Sequence, residues 1–244
     1  MDNLQELTDH LKNPEKINTN ILKKPIEFQG ICYICKKEFI YESIPEKWGS
    51  PSKKQDFCSD KCKAKYKDDI YQEKLRLMPI KFRDIECDRK DLVRQGMDHS
   101  LFITGASGVG KTVLMAGVVK ELLKAKKDKI EWISYPGFIM ELQSMFRKEG
   151  ENTPFDMAER IATYPGTLCI DDMGAEKMTA FVQQITYYII NYREMEMLHT
   201  LITSNFSLQQ IDEQIDTRVS SRIAGMCKVI KLTGKDRRLE KENN

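Results

Sequence analysis

The residues with the clearest chemical meaning form a glycine-rich segment, Gly105-Ala-Ser-Gly-Val-Gly-Lys-Thr112. It fits the pattern G-x-x-x-x-G-K-S/T, with an apolar run of strand length before it and a helix-like segment after it. Glycines let backbone N–H groups wrap around phosphate oxygens, and the following helix presents its positive end to the same anion. A chance glycine-rich turn is the simpler alternative. The pattern predicts an ATP phosphate site formed by Gly105, Ser107, Gly108, Val109, Gly110, Lys111 and Thr112.

Two adjacent carboxylates, Asp171 and Asp172, end a second apolar run. Burying ionised carboxylates is costly unless a cation meets them, and ligands of parallel sheets bind where strands end. We therefore expect Asp171 and the Thr112 hydroxyl to hold Mg²⁺ beside the phosphates, and Lys111 to contact the β- and γ-phosphates. Asp172 is expected to polarise the attacking water. A helix N-cap would explain one of the two aspartates.

Four of the seven cysteines form two pairs near the N-terminus: Cys32 with Cys35, and Cys58 with Cys62. The spacings C-x2-C and C-x3-C suit a closed tetrahedral zinc site made of four thiolates. Disulfides and reduced, unliganded thiols are the alternatives, and an expected cytoplasmic location argues against disulfides. The pattern predicts a small module that a structural Zn²⁺ holds together.

Composition excludes some classes of function. Of 244 residues, 31% are charged and the net charge is +2, so the chain is not a polycation that binds nucleic acid along its whole surface. No apolar run approaches the roughly 18 residues of a membrane span, and the N-terminus lacks the apolar core of a signal peptide. We expect a cytoplasmic protein that does not contact membranes.

From about residue 100, strand-length apolar runs alternate with helix-length segments. This alternation predicts an α/β domain whose mostly parallel sheet is covered on both faces. We predict three parts: an N-terminal zinc-binding, partner-docking domain (1–75), a linker (76–99) and an ATPase domain (100–244).

The segments GASGVGKT, LCIDDMGAEK, LITSN, TRVSSRI and GKDRR occur in an order that resembles the DnaC/IstB clade of AAA+ ATPases. The glycine-rich segment alone is unspecific, and the Asp-Asp motif with its trailing Gly-Ala-Glu is more specific. The resemblance implies a P-loop AAA+ core that lacks a full C-terminal lid. It also implies that Asn205 is a polar sensor that positions the attacking water.

The resemblance further implies an arginine finger that acts on the neighbouring subunit's nucleotide. Arg222 matches this position, and Arg218, four residues earlier on the same helical face, competes with it. Arg238 matches a late arginine of the family that binds the nucleotide, although Arg237 is adjacent. A finger supplied in trans implies head-to-tail self-assembly when nucleotide is bound.

The function that the resemblance implies is ATP-dependent helicase loading in DNA replication. Loaders of the DnaI type carry an N-terminal zinc module that docks onto a replicative DnaB-type hexameric helicase, which is then placed on single-stranded DNA. The segment 136–165 is a candidate DNA contact through Phe146, Arg147 and Lys148, and a surface helix with ordinary basic residues is the equal alternative. An IstB-like transposition ATPase and an ATP-binding zinc adaptor with little turnover are the alternatives, and the lysines beside the cysteines leave nucleic-acid binding by the module open.

Overall fold

The structure is a computed structural model that describes residues 25–43, 55–125, 127, 129–146 and 153–237. The chain divides into two compact units, Met1–Ile70 and Tyr71–Asn244. Cys58 and Cys62, like the first cysteine pair, belong to the first unit. Among the described residues, no helix is long and apolar enough to cross a bilayer.

The first unit is built on a β-hairpin and the start of a helix. Strands β1 (Ile26–Ile31) and β2 (Glu38–Ser43) pair antiparallel, and helix α1 (Asp60–Lys74) begins in this unit. Tyr66 on α1 contacts Tyr33 edge-on with ring centroids 5.2 Å apart, and its ring lies 4.9 Å from that of Phe57. A metal ion bound by the cysteines would stabilise a unit of this size further.

The second unit alternates helices and strands, as the sequence pattern predicts. A 3-10 turn (Leu75–Leu77) and the short helix α2 (Ile80–Arg83) come first. The remaining elements are α3 (Lys90–Asp98), β3 (Leu101–Gly105), α4 (Lys111–Lys124), β4 (Ile130–Ser134), α5 (Tyr135–Met145), α6 (Pro154–Ala162), β5 (Thr167–Met173), α7 (Ala180–Met195), β6 (Thr200–Ser204), α8 (Leu208–Gln214), α9 (Thr217–Met226) and β7 (Lys228–Leu232).

The five strands in the described part of this unit form one parallel sheet in the order β4-β5-β6-β3-β7. Strand β6 therefore lies between β3, which leads into the glycine-rich segment, and β5, which carries the two aspartates. Because the strands are parallel, the ends of β3, β5 and β6 meet at one edge of the sheet. The sheet confirms the predicted α/β class and brings the three candidate motifs together.

Both faces of the sheet are covered, and the strand residues alternate between the two layers. Phe102, Ile170 and Ile202 belong to one apolar cluster, whereas Leu101 and Cys169 belong to the other. All five side chains have zero solvent exposure. Strands buried on both faces read as continuous apolar runs, which explains the sequences LFIT, LCI and LIT.

Residues 76–99, predicted as a linker, lie in the second unit and contribute to its core. Met78 and Val93 are buried in the same cluster as α4. Helix α3 packs so closely on α4 that a Cβ on Gly96 would collide with the Val118 side chain. The segment therefore differs from a linker, because its apolar residues pack against the helix that follows the glycine-rich segment.

Candidate functional site

The glycine-rich segment forms a loop between β3 and α4. Gly108 and Gly110 have φ angles of +76° and +97°, in the left-handed region that favours glycine. Gly110 is the N-cap of α4 and has no side chain that could cap the first N–H groups of this helix. Val109 is buried beneath the loop, while Ser107 is exposed. The loop has the geometry of an anion cradle.

Lys111 lies at the centre of the loop and is only 5% exposed. Its ammonium donates to the carbonyl oxygens of Gly105 and Ala106, each at 2.9 Å, and to Asn205 Oδ1 at 2.7 Å. The bond to Asn205 joins the loop to the end of β6. The structure therefore brings the predicted phosphate lysine and the predicted sensor residue into direct contact.

The acidic pair ends β5, next to the start of α4. Asp171 is buried, and its Oδ1 accepts hydrogen bonds from Thr112 Oγ1 at 3.0 Å and from Thr203 Oγ1 at 2.6 Å. Burial raises the pKa of Asp171, and the hydroxyl of Thr203 opposes this shift. Asp172 is half-buried, with a left-handed φ of +58°. Sequence reasoning missed Thr203, which reads there as one more apolar-strand residue.

Thr112 and Asp171 fit a magnesium ion. Mg²⁺ takes oxygen ligands at about 2.1 Å in octahedral geometry, so two neighbouring ligands lie about 3 Å apart. The observed separation between Thr112 Oγ1 and Asp171 Oδ1 is 3.0 Å. Both donors are the hard oxygen type that this ion prefers. The pair can hold Mg²⁺ beside the phosphate loop without a large rearrangement.

The Gly-Ala-Glu sequence after the aspartates forms a turn that closes against β6. Gly174 has a φ of +92°, and its N–H donates to both carboxylate oxygens of Glu176 at 3.2 and 3.3 Å. Burial raises the pKa of Glu176. The ring of Phe206 lies so close to Gly174 that a Cβ there would collide with it. Gly174 and Glu176 therefore shape the turn that follows the acidic pair.

The two candidate finger residues on α9 are held differently. Arg218 makes two bonds to the carboxylate of Asp216, at 2.8 and 3.0 Å, and its guanidinium lies 4.4 Å from the centroid of the Tyr187 ring. Arg222 makes one longer contact, from Nη1 to Glu194 Oε2 at 3.3 Å. Arg222 is the less constrained of the two.

The chain after β7 returns to the phosphate loop. The Arg237 N–H donates to the Gly108 carbonyl at 3.1 Å, and its Nη2 lies 3.5 Å from Asp88 Oδ2. The Asp236 carboxylate lies against Gly108, where any Cβ would collide with it. The predicted nucleotide residue Arg238 lies outside the described residues. Of the tandem arginines, Arg237 is the one that the structure describes beside the loop.

The four predicted zinc cysteines come together in the first unit. Their sulfur atoms lie within 4.8 Å of one another, and the distances from Cys58 Sγ to Cys35 Sγ and Cys62 Sγ are 3.5 and 3.6 Å. Four ligands at about 2.3 Å from a tetrahedral Zn²⁺ would lie about 3.8 Å apart. The cluster therefore fits Zn²⁺ in distance, number and donor type.

The elements of the hairpin and helix explain this cluster. Cys32 and Cys35 occupy the tight turn between β1 and β2, where Lys36 N donates to the Cys32 carbonyl at 3.0 Å. Cys58 precedes α1, and Cys62 lies in its first turn. Hydrogen bonds of the Cys58 thiol with the sulfur atoms of Cys35, the larger cause, and Cys62 raise the pKa of Cys58 to about 12. Burial opposes ionisation of Cys32, but backbone hydrogen bonds outweigh it and lower the pKa of Cys32 to about 6.

The predicted DNA segment is described only in part. Phe146, at the end of α5, is 66% exposed and contacts Phe181 edge-on with centroids 5.1 Å apart. Arg147 and Lys148 lie outside the described residues. The described contact of Phe146 is therefore an apolar one, with the Phe181 ring on α7.

Comparisons with known proteins agree with this geometry. The replicative helicase loader DnaI of Bacillus subtilis (strain 168) is 30% identical in an alignment of 171 residues that covers 64% of this chain and 53% of that protein. The chain thus spans about half the length of the curated relative that it matches. A crystal structure of DnaI superposes with a TM-score of 0.52 at 25% identity, covering 68% of this chain and 93% of the other.

The fold recurs in a further solved structure. A proposed primosome component from Streptococcus pyogenes serotype M3 matches with a TM-score of 0.53 at 22% identity, over 66% of this chain and 92% of the other. Residues 94–229 match the model of the bacterial DnaA ATPase domain. This range holds the phosphate loop, the acidic pair and α9, and it covers more than half of the chain. The predicted AAA+ resemblance is confirmed, and the chain belongs to the bacterial DnaA ATPase domain family.

Proposed function

We propose that this protein is an ATP-dependent helicase loader that binds a replicative DnaB-type hexameric helicase and helps to place it on single-stranded DNA. The observation that carries the proposal is the convergence of Lys111, Asn205, Thr112 and Asp171 at adjacent strand ends, with separations of 2.7 and 3.0 Å. The similarity to a curated replicative helicase loader supports the choice of this function over other uses of ATP.

Each residue of the site has a distinct task in ATP hydrolysis. Backbone N–H groups of the phosphate loop bind the phosphates, and Lys111 exchanges its loop carbonyls and Asn205 for β- and γ-phosphate oxygens. Thr112 and Asp171 would hold Mg²⁺, which would neutralise phosphate charge. Asp172 polarises the attacking water, and Asn205 orients it once Lys111 has turned to the phosphates.

The active form is an assembly. Arg222 neutralises charge on the γ-phosphate of an adjoining copy, which requires a head-to-tail interface. Its single contact with Glu194, at 3.3 Å between two partly exposed side chains, is weak enough to exchange for a phosphate. We therefore expect slow hydrolysis by the isolated chain and faster hydrolysis in the assembled state.

The first unit serves as the docking module. Zn²⁺ bound by Cys32, Cys35, Cys58 and Cys62 would have four thiolate ligands and no open position, so its role would be structural. The unit then presents its hairpin and helix as a rigid surface to the helicase. Loading takes place in the cytoplasm, on single-stranded DNA that the ATPase units contact through the region of residues 136–165.

Loading is tested with purified components. Asp172→Asn, which keeps the size of the side chain but removes its charge, is expected to bind ATP and hold a replicative helicase in a stable complex on size-exclusion chromatography. Wild-type protein with ATP is expected to raise the amount of helicase bound to circular single-stranded DNA, and Cys58→Ser to abolish this gain while nucleotide binding remains. Absence of a complex under all nucleotide conditions would reject the docking role.

A further inference from the structure

We infer that Thr203 is the positioning residue of the acidic pair, because its hydroxyl holds both aspartates at once. Thr203 lies in β6 and has zero exposure. Its Oγ1 donates to Asp171 Oδ1 at 2.6 Å and accepts from the backbone N–H of Asp172 at 2.9 Å. One hydroxyl carries one proton and two lone pairs, so both bonds form together. The role rests on the proposed ATPase function.

The strand pairing explains why a side chain is needed at this point. On β5 and β6, Ile170 pairs with Ile202 and Met173 pairs with Ser204. Two residues of β5, Asp171 and Asp172, therefore face the single residue Thr203. Such a bulge is rare between parallel strands, breaks the ladder of backbone bonds and re-aims the side chains beside it. The Thr203 hydroxyl accepts a hydrogen bond from the Asp172 N–H, which lies where the ladder of backbone bonds is interrupted.

The bulge also sets the direction of Asp172. Asp172 has a left-handed φ of +58°, a conformation that costs free energy for a residue with a Cβ and persists only when its surroundings hold it. The bond from its N–H to Thr203 supplies that restraint. As a result the two carboxylates are not on opposite faces of a regular strand: Asp171 is buried against Thr112, and Asp172 is half-buried at the edge.

The same hydroxyl fixes the carboxylate that faces the magnesium position. Asp171 Oδ1 accepts one hydrogen bond from the Thr112 hydroxyl, beside the phosphate loop, and another from the Thr203 hydroxyl in β6. Two donors on one oxygen define the rotation of the carboxylate plane, and preorganised geometry of this kind lowers the barrier of the chemical step more than it tightens binding. Loss of the hydroxyl should therefore lower kcat and leave the affinity for ATP nearly unchanged.

Thr203→Val tests this inference because valine keeps the shape and removes the hydroxyl. We expect kcat for ATP hydrolysis to fall at least about tenfold while the dissociation constant for ATP changes less than about threefold. Thr203→Ser restores a hydroxyl and is expected to return most of the activity. Thr167→Val is the matched control: it removes a buried hydroxyl at the opposite end of β5, where Thr167 Oγ1 bonds His199 Nδ1 at 2.9 Å.

A second measurement uses the nucleotide-free protein. Hydrogen exchange of the Asp172 amide, followed by NMR, is expected to be at least about tenfold faster in Thr203→Val and unchanged in Thr167→Val. Wild-type kcat or wild-type exchange in Thr203→Val would overturn the inference. If Thr203→Val does not fold, Thr203→Cys, a weaker hydrogen-bonding group of similar size, must show both effects, and wild-type behaviour there overturns it equally. Failure of the wild-type protein to hydrolyse ATP would reject the proposed function, whereas amide exchange would still test the role of Thr203.

Discussion

Replacing Arg222 by alanine separates its part in folding from its part in catalysis. Arg222 and Glu194 lie 3.3 Å apart with side chains 41% and 26% exposed. Ion pairs this accessible contribute about 0.2 to 1 kcal/mol, which corresponds to a loss of at most about 4 °C in Tm for a unit of this size. An arginine that acts in trans on the γ-phosphate contributes about a thousandfold or more in kcat, equivalent to about 4 kcal/mol. The catalytic effect should far exceed the effect on stability.

The assay is phosphate release with a replicative helicase and single-stranded DNA present. Arg222→Ala is expected to bind ATP normally and to hydrolyse it at least about a thousandfold more slowly. Lys111→Ala is expected to be inactive because it lacks the phosphate lysine, but it still offers an intact Arg222 to its neighbour. An equal mixture of the two variants should recover part of the activity, since a site with Lys111 then meets an arginine from the other variant.

Arg218→Ala is the comparison within the same helix. Arg218 is held by two bonds to Asp216 and by the ring of Tyr187, so its removal should cost some stability and little activity. Wild-type hydrolysis by Arg222→Ala, together with loss of activity in Arg218→Ala, would refute the assignment. A mixture with Lys111→Ala that stays inactive would refute action in trans.

Three further predictions concern other parts of the chain. Arg193 is fully buried and donates to Thr200 Oγ1 and to four backbone carbonyls. Arg193→Met should therefore lower the free energy of unfolding by about 3 to 5 kcal/mol. A loss of less than about 2 °C in Tm on thermal unfolding would contradict this. Removing metal with a chelator should release about one zinc per chain and abolish helicase binding while ATP binding persists, which a zinc-sensitive dye and a nucleotide titration measure together. Asp236→Asn removes a negative charge that lies against Gly108, so it should tighten ATP binding about two- to tenfold in a fluorescent-nucleotide titration. The control Lys235→Ala is expected not to tighten binding. Weaker binding by Asp236→Asn would mean that the carboxylate supports the nucleotide.

Motifs that are contiguous in sequence were predictable because local geometry dictates them. The glycine-rich segment needs left-handed residues at Gly108 and Gly110, and the structure has both. The convergence of Lys111 with Asn205 follows from a general property of parallel sheets, although the position of β6 between β3 and β5 was not predicted. The cysteine pairs needed only spacing, since each pair sits within one turn of the chain.

Features that depend on strand register or burial were not readable from one sequence. Thr203 makes its contacts because a bulge places it opposite two residues, and no residue pattern in LCIDDMG predicts that bulge. Arg193 ends an amphipathic helix and resembles a surface charge, yet carbonyls around it bury it completely. Burial in this low-dielectric site lowers the pKa of Arg193 to about 10. This value is still well above 7, so the side chain stays protonated at neutral pH.

The nucleotide-free contacts also suggest how ATP can signal through the sheet. Lys111 bonds Asn205 at the end of β6, and β6 carries Thr203, which holds the acidic pair. We expect that, when ATP binds, Lys111 turns to the phosphates and releases Asn205 at the strand end. Asn205 is one residue before Phe206, whose ring packs on Gly174. A ligand shifts a conformational equilibrium only through contacts that differ between the two states. The hydrogen bond from Lys111 to Asn205, which phosphate would replace, is such a difference. Asn205→Ala should therefore weaken the dependence of helicase binding on ATP, even where the affinity for ATP is preserved.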